Sequence, residues 1–148
     1  RYRGPGVATS YFGADAASGD GFRDGWFYPG DIAEKNEAGY VFIRGRAKDV
    51  IIRGGINIYA AEVESVLSAH PAVAESAVVG RRSRLMGEEV AAFVVLREPA
   101  DPEELAGWCR ERLAPYKVPR DFLAVEGLPK NSAGKVLKAD LAAGLEAL

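Results

Sequence analysis

The sequence predicts a small two-layer α+β domain, a short mixed sheet packed by helices, with a β-rich segment ahead of it. Three observations carry this. Eleven of the 17 glycines fall within the first 55 residues, a density that marks turns and hairpins. From Gly39 onward, β-rich runs and amphipathic helical stretches follow one another in the order β-β-α-β-β-α-β-α. Val90–Arg97 is almost continuously apolar, as a central strand is.

Each element has a local reason. The opening stretch, Arg1 to about Asp24, shows no sustained period and reads as loop. Gly4-Pro5-Gly6 and the Ala/Ser/Gly/Asp run from Gly13 to Asp24 carry that reading, with one short strand expected near Val7–Phe12. Gly39–Gly45 is a β-rich run between glycines, and Asp49–Arg53 is a second. Ala60–Ala69 places Val63, Val66 and Leu67 at i, i+3 and i+4, a helix ended by His70-Pro71. Strands are expected at Ser76–Val79 and Val90–Arg97. Asp101-Pro102-Glu103-Glu104 opens the next helix, with Asp as N-cap, Pro at N1 and Glu104 reaching back to the cap. Its apolar face is Leu105, Trp108, Cys109 and Leu113, and Pro115 stops it. A short strand at Asp121–Val125, a Gly/Pro/Lys loop and a helix from about Val136 complete the order.

Composition sets the outer bounds. The 148 residues are 48% hydrophobic and 27% charged with a net charge of −2, enough apolar material for a core. No apolar run approaches the roughly 20 residues that a membrane span needs. Nineteen basic against 21 acidic residues leave no excess to attract nucleic acid. The single cysteine, Cys109, makes neither an intrachain disulfide nor a zinc site, so no metal is expected. No leader is recognisable, and a cytoplasmic setting is the expectation. The chain opens Arg1-Tyr2-Arg3-Gly4 and its one methionine is Met86, which reads as a piece of something longer.

Polar chemistry gathers in three clusters. Gly25-Trp26-Phe27-Tyr28-Pro29-Gly30-Asp31 holds an aspartate beside a glycine turn. Such a carboxylate can accept both hydroxyls of a vicinal diol such as ribose, or it can cap its own backbone in an Asx-turn. Gly45-Arg46-Ala47-Lys48-Asp49 leads into a β-branched strand that ends on Gly54-Gly55, where the backbone takes positive φ or something approaches closely. No helix follows those glycines at the spacing of a dinucleotide fingerprint. Pro129–Lys138 contains Gly134-Lys135, but the leading glycine of a phosphate loop is missing and Val136 replaces the magnesium-binding Ser/Thr. What remains is a mobile loop whose lysine can neutralise developing negative charge or simply face water. His70 at a helix end and Cys109 on an apolar face read as structural, and Arg81-Arg82-Ser83-Arg84 as an exposed basic turn.

Taken together, the three clusters resemble the C-terminal part of the adenylate-forming enzymes: acyl- and aryl-CoA synthetases, nonribosomal peptide synthetase adenylation domains and luciferases. Gly25–Asp31 is similar to that family's G-W-[FY]-x-T-G-D, and Gly45–Asp49 with Ile51 and Gly55 to its G-R-x-[KD]-[DE]-x-I-x-x-x-G hinge motif. Asn57–Glu64 is similar to N-I-x-P-x-E-[VI]-E, and Pro129–Lys138 to P-[KR]-x-x-x-G-K-[VI]-x-[RK]. Pro29 stands where the family has Thr, Ala60 where it has Pro, and Lys138 where it often has Arg.

The resemblance implies a boundary: residues 1–47 as the terminal β-rich segment of a large, incomplete N-terminal adenylation domain, and 48–148 as the C-terminal cap domain. It implies an AMP-forming acid–thiol ligase that uses ATP, as its Mg2+ complex, and CoA on a carboxylic acid substrate. The missing N-terminal domain of the same protein would be the partner. Asp31 and Arg46 would hold the ATP/AMP ribose, Lys48 would be the hinge, Gly55 would line the pantetheine channel, and Lys135 would be the catalytic lysine of adenylation. By itself the fragment would be inactive. The alternatives are a module that loads a carrier protein, a stand-alone binding domain sharing the fold, and a luciferase-like oxygenase.

Overall fold

The computed structural model describes residues 1–12 and 21–146. The chain divides into two compact units, Arg1–Lys48 and Asp49–Leu148. Of the expected loop from Gly13 to Asp24, residues 13–20 lie outside the described residues.

The first unit is two small hairpins. Strands β1 (Phe22–Arg23) and β2 (Trp26–Phe27) turn through Asp24-Gly25, whose φ values of 52° and 73° match the two-residue turn that suits strand twist. Tyr2 pairs with Phe27 in an isolated bridge. The strand expected near Val7–Phe12 does not form: that stretch follows a turn at Gly4, with Val7 N–H donating to the Gly4 carbonyl at 3.1 Å. Strands β3 (Asp31–Lys35) and β4 (Val41–Arg46) form the second hairpin, closed by Asn36, whose Oδ1 accepts from Tyr40 N–H at 2.9 Å. A register shift at Ile32/Ala33 skips Arg44, whose guanidinium binds Glu34. Tyr40, Val41, Phe42 and Ile43 are 49–69% exposed, so both faces of this hairpin present large apolar side chains.

The second unit is the α+β domain. Strands β5 (Val50–Arg53) and β6 (Ile56–Tyr59) make a hairpin, followed by helix α1 (Ala60–Ser68), strands β7 (Val73–Ser83) and β8 (Gly87–Leu96), helix α2 (Pro102–Arg110), strand β9 (Asp121–Ala124) and helix α3 (Lys138–Glu146). The sheet order is β6-β5-β8-β7, and β9 joins β8 in parallel, so the sheet is mixed. Side-chain alternation splits the core. Val78, Val90 and Ala92 pack with Ile51, Ile58, Val63, Leu67 and Cys109 beneath α1 and α2. Ala77, Val79, Ala91 and Phe93 face the other way and meet Leu128, Leu141 and Leu145, so α3 covers the opposite face. Each such fully buried aliphatic side chain contributes roughly 1.5–3 kcal/mol relative to exposure.

Asp101 and Pro102 start their helix as expected, whereas Glu104 and the Arg81 region depart from the expectation. Asp101 Oδ1 accepts from Glu104 N–H at 2.8 Å, and Pro102 opens α2. Glu104 does not return to the cap: its carboxylate faces His70 Nε2 at 3.7 Å. His70, just past the end of α1, is buried, with its ring edge-on to Trp108 and Nδ1 accepting from Ala72 N–H. Arg81-Arg82-Ser83 is not a turn either, because β7 runs on through Ser83 and pairs with β8 as far as Gly87. Arg81 meets Asp121 at 3.1 Å. No helix among the described residues is long and apolar enough to cross a membrane.

Candidate functional site

Asp31 begins β3 and Arg46 ends β4, and the register pairs them directly. Their side chains therefore share one face, and Arg46 Nε lies 3.2 Å from Asp31 Oδ1. The Asp31 carboxylate is thus held by the opposite strand and does not cap its own turn. A carboxylate keeps further lone pairs beyond this contact, so it can still accept from a diol. Arg46 Nη1 also donates to the Pro29 carbonyl. Pro29 supplies this acceptor from its main chain, so the missing threonine hydroxyl is not needed for that contact. Gly30, at φ 78°, makes the tight corner, and its carbonyl accepts from Ala47 N–H at 2.8 Å.

Lys48 lies in the short 3-10 turn Ala47–Asp49 and is the last residue of the first unit. It is exposed, and its ammonium has no partner among the described residues. Further on, Gly54-Gly55 is the two-residue turn of the β5–β6 hairpin, with φ values of 57° and 82°. The two glycines differ in their surroundings. A Cβ at Gly54 would stand 2.8 Å from Met86 Cε, whereas one at Gly55 would meet nothing within 4 Å. Gly55 therefore faces open space, and its backbone angle of 82° favours glycine whatever the space.

The Pro129–Lys138 segment is more closed than the mobile loop its composition predicts. Leu137 N–H donates to the Pro129 carbonyl at 2.8 Å, and Asn131 N–H to the Lys135 carbonyl at 2.9 Å. Asn131 Oδ1 accepts from both Ala133 N–H (3.0 Å) and Lys135 N–H (2.9 Å), and Gly134 takes φ 79°. Val136 packs inward on the cluster under α3, so its neighbour Lys135 is turned out to solvent.

The lysines of the second unit separate cleanly. Lys117 pairs with Glu62 at 2.6 Å, Lys130 with Glu75 at 2.6 Å, and Lys138 with Glu64 at 2.7 Å. Glu64 Oε1 also accepts from Val78 N–H, tying α1 to the outer strand β7. Lys135 alone of the four has no partner among the described residues. An unpaired ammonium on a backbone-closed turn is placed to engage an anion brought from elsewhere.

Other candidates are structural. Burial pushes the Cys109 thiol up from 9.0 to about 11, the reverse of an activated nucleophile. No group of three or more His, Cys, Asp or Glu residues is placed to hold a metal among the described residues. A groove of about 530 Å³ runs past Asp101, Glu103, Arg110, Val118, Arg120 and Phe122, and none of the predicted site residues lines it.

Comparison with known proteins gives these positions a context. Residues 62–135 match the family model described as the AMP-binding enzyme C-terminal domain. The 2-succinylbenzoate–CoA ligase of Bacillus subtilis (strain 168) is 42% identical over 139 residues, which is 94% of this chain and 29% of that protein. The solved structure of o-succinylbenzoate CoA synthetase from Bacillus subtilis, in complex with the acyl-adenylate intermediate OSB-AMP, matches with a TM-score of 0.89 at 42% identity, over 94% of this chain and 29% of that one. ATP-bound MatB from Rhodopseudomonas palustris matches with a TM-score of 0.83 at 38% identity, over 96% and 29%. The chain spans less than a third of the length of each of these relatives.

Proposed function

Given that this chain belongs to the AMP-binding enzyme C-terminal domain family, we propose that it is the cap and adjoining edge of an AMP-forming acid–thiol ligase. In the first half-reaction a carboxylate attacks the α-phosphorus of ATP, giving acyl-AMP and pyrophosphate. In the second, the CoA thiol attacks the acyl carbon, giving the thioester and AMP, with the thiol proton lost to solvent. Mg2+ arrives with ATP as part of the substrate. In this reading residues 1–47 belong to the edge of the large catalytic domain and 48–148 form the cap. The apolar side chains Tyr40–Ile43, uncovered in the first unit, support this by calling for further protein against them.

The observation that carries the reading is the unpaired Lys135 on its closed turn. Carboxylate attack on a phosphate brings two anions together, and a preorganised cation lowers that barrier. The Asp31 carboxylate accepts from the ribose hydroxyls of the nucleotide while Arg46, 3.2 Å from Oδ1, orients it. Lys48 supplies the few backbone angles about which the cap turns between half-reactions. Gly55, facing open space, leaves the path of the pantetheine arm clear. A cytoplasmic setting is consistent with ATP and CoA as substrates.

The test uses the whole protein that carries this sequence. Incubated with ATP, Mg2+, CoA and a panel of aliphatic and aromatic acids, it releases AMP and pyrophosphate and forms an acyl-CoA. Release of ADP and phosphate, or acylation of a carrier protein with none of CoA, would overturn the assignment.

A further inference from the structure

The Gly54-Gly55 turn is weakly built into the sheet by its backbone. Between β5 and β8 the ladder has one pair, Arg53↔Gly87, and from Ala91 onward that flank of β8 is taken by β9. What fastens the turn is a pair of adjacent glutamates at the start of β8. Glu88 Oε2 accepts from the Ile52 N–H at 2.6 Å. Glu89 Oε2 accepts from Arg53 Nε at 2.6 Å, and its Oε1 lies 3.6 Å from Arg120 Nη1.

Neighbouring residues on a strand point to opposite faces, so the two carboxylates grip consecutive residues of β5 from the two sides of the sheet. Glu88 lies across Gly80, where a Cβ would stand 2.7 Å from Oε1. Glu89, its side chain 5% exposed, is a buried anion held between two arginines. Met86 completes the hold: its carbonyl accepts from Gly54 N–H at 2.7 Å, and its methyl closes the space above Gly54.

We infer that Glu88 and Glu89 are positioning residues for thioester formation, fixing where the Gly54-Gly55 turn stands and thereby the width of the thiol's path. This rests on the reading that Gly55 lines that path. Neither carboxylate touches substrate, and neither is expected to act on adenylation, which depends on Lys135 in a separate turn. The chemical step is unchanged: thiol sulfur bonds to the acyl carbon, AMP leaves with the bonding electrons, and the proton goes to solvent.

The experiment measures both half-reactions in the full-length ligase, with CoA and preformed acyl-adenylate for the second. Glu88→Ala raises KM for CoA or lowers kcat so that kcat/KM for the thioester step falls at least tenfold, while the adenylation rate stays within twofold. Glu88→Gln, which keeps an acceptor oxygen for Ile52 N–H, restores most of the loss. Should Glu88→Ala fail to fold, Arg53→Lys, which keeps the charge and loses the Nε contact, shows the same split. Equal slowing of both half-reactions, or no change in the thioester step in a folded variant, overturns the inference. Gly55→Val run alongside separates the two readings. If it leaves thioester formation untouched, the Gly55 assignment and this inference fall together. If it slows that step while folded Glu88→Ala does not, only the inference falls.

Discussion

The two compact units treat their apolar side chains in opposite ways. In the second, Ile58, Val63, Leu67, Val78 and Val90 are withdrawn completely from water. In the first, the consecutive Tyr40, Val41, Phe42 and Ile43 stand exposed, and no described hydrophobic residue is buried. Hairpins of this size are at best marginal without a partner surface, whereas the five-stranded sheet with three helices carries its own core. The charges tell the same story within the second unit: three lysines are paired at home and Lys135 is not. On the proposed function, what is left unsatisfied, the hairpin and that ammonium, is what the large catalytic domain would complete.

The contrast is sharpest in the core. Leu67→Ala should destabilise the second unit by about 2–5 kcal/mol, read from the denaturant midpoint. Phe42→Ala in the same chain should change stability by less than about 0.5 kcal/mol, because its ring is half exposed already. Equal losses from the two would mean that the first unit holds a core of its own. In the full-length protein the Phe42→Ala loss should grow to several kcal/mol as the hairpin is covered.

Smaller effects test the turns and caps. Gly54→Ala forces a side chain into a left-handed backbone and against Met86, whereas Gly55→Ala meets only the first cost, about 1–2 kcal/mol. Thermal melts should rank Gly54→Ala as the more damaging, and Met86→Ala should narrow the gap. Asp101→Ala removes the N-cap acceptor of α2 and should cost about 1 kcal/mol.

Cys109 gives the smallest change near neutrality. Its thiol is raised to about 11 in the folded state, so the fold holds a proton that the unfolded chain releases near 9.0. That contribution is complete below about pH 9 and fades as pH rises toward 11. Alkylation at pH 8 should therefore be negligible until denaturant unfolds the chain, and prompt labelling of the native protein would contradict the packing around α2.

The second unit was readable in the sequence because local signals and tertiary packing agree there. Val63 and Leu67 lie on the buried face of α1, Asp101 caps α2, and the Val90–Leu96 run is central. The first unit misled for the converse reason. Asp24-Gly25 is a strong hairpin signal, but only two residues flank it on each strand, too few to show alternation. At Val7–Phe12 apolar character suggested a strand, but the backbone there follows a turn at Gly4 and bends. Arg81-Arg82-Ser83 looked like a turn because its charges hide a strand whose partner, β8, lies across a hairpin. Lys135 could be singled out by resemblance, but its isolation could not, since Lys130 meets Glu75 and Lys138 meets Glu64 only through the fold. The paired glutamates behind Gly54-Gly55 left no local signal, because each grips a strand 36 residues away.

On the proposed function Lys135, and not its paired neighbours, serves the adenylation step. The direct measurement compares Lys135→Ala and Lys138→Ala in the full-length enzyme, following both half-reactions together with thermal stability. Lys135→Ala should slow adenylation about 10²–10³-fold, leave thioester formation from preformed adenylate within a few fold, and leave the melting temperature unchanged. Lys138→Ala, which strips Glu64 of its partner, should lower the melting temperature and spare adenylation in the folded enzyme. Equal slowing of both half-reactions by Lys135→Ala, or the same kinetic loss from both variants, would contradict the claim.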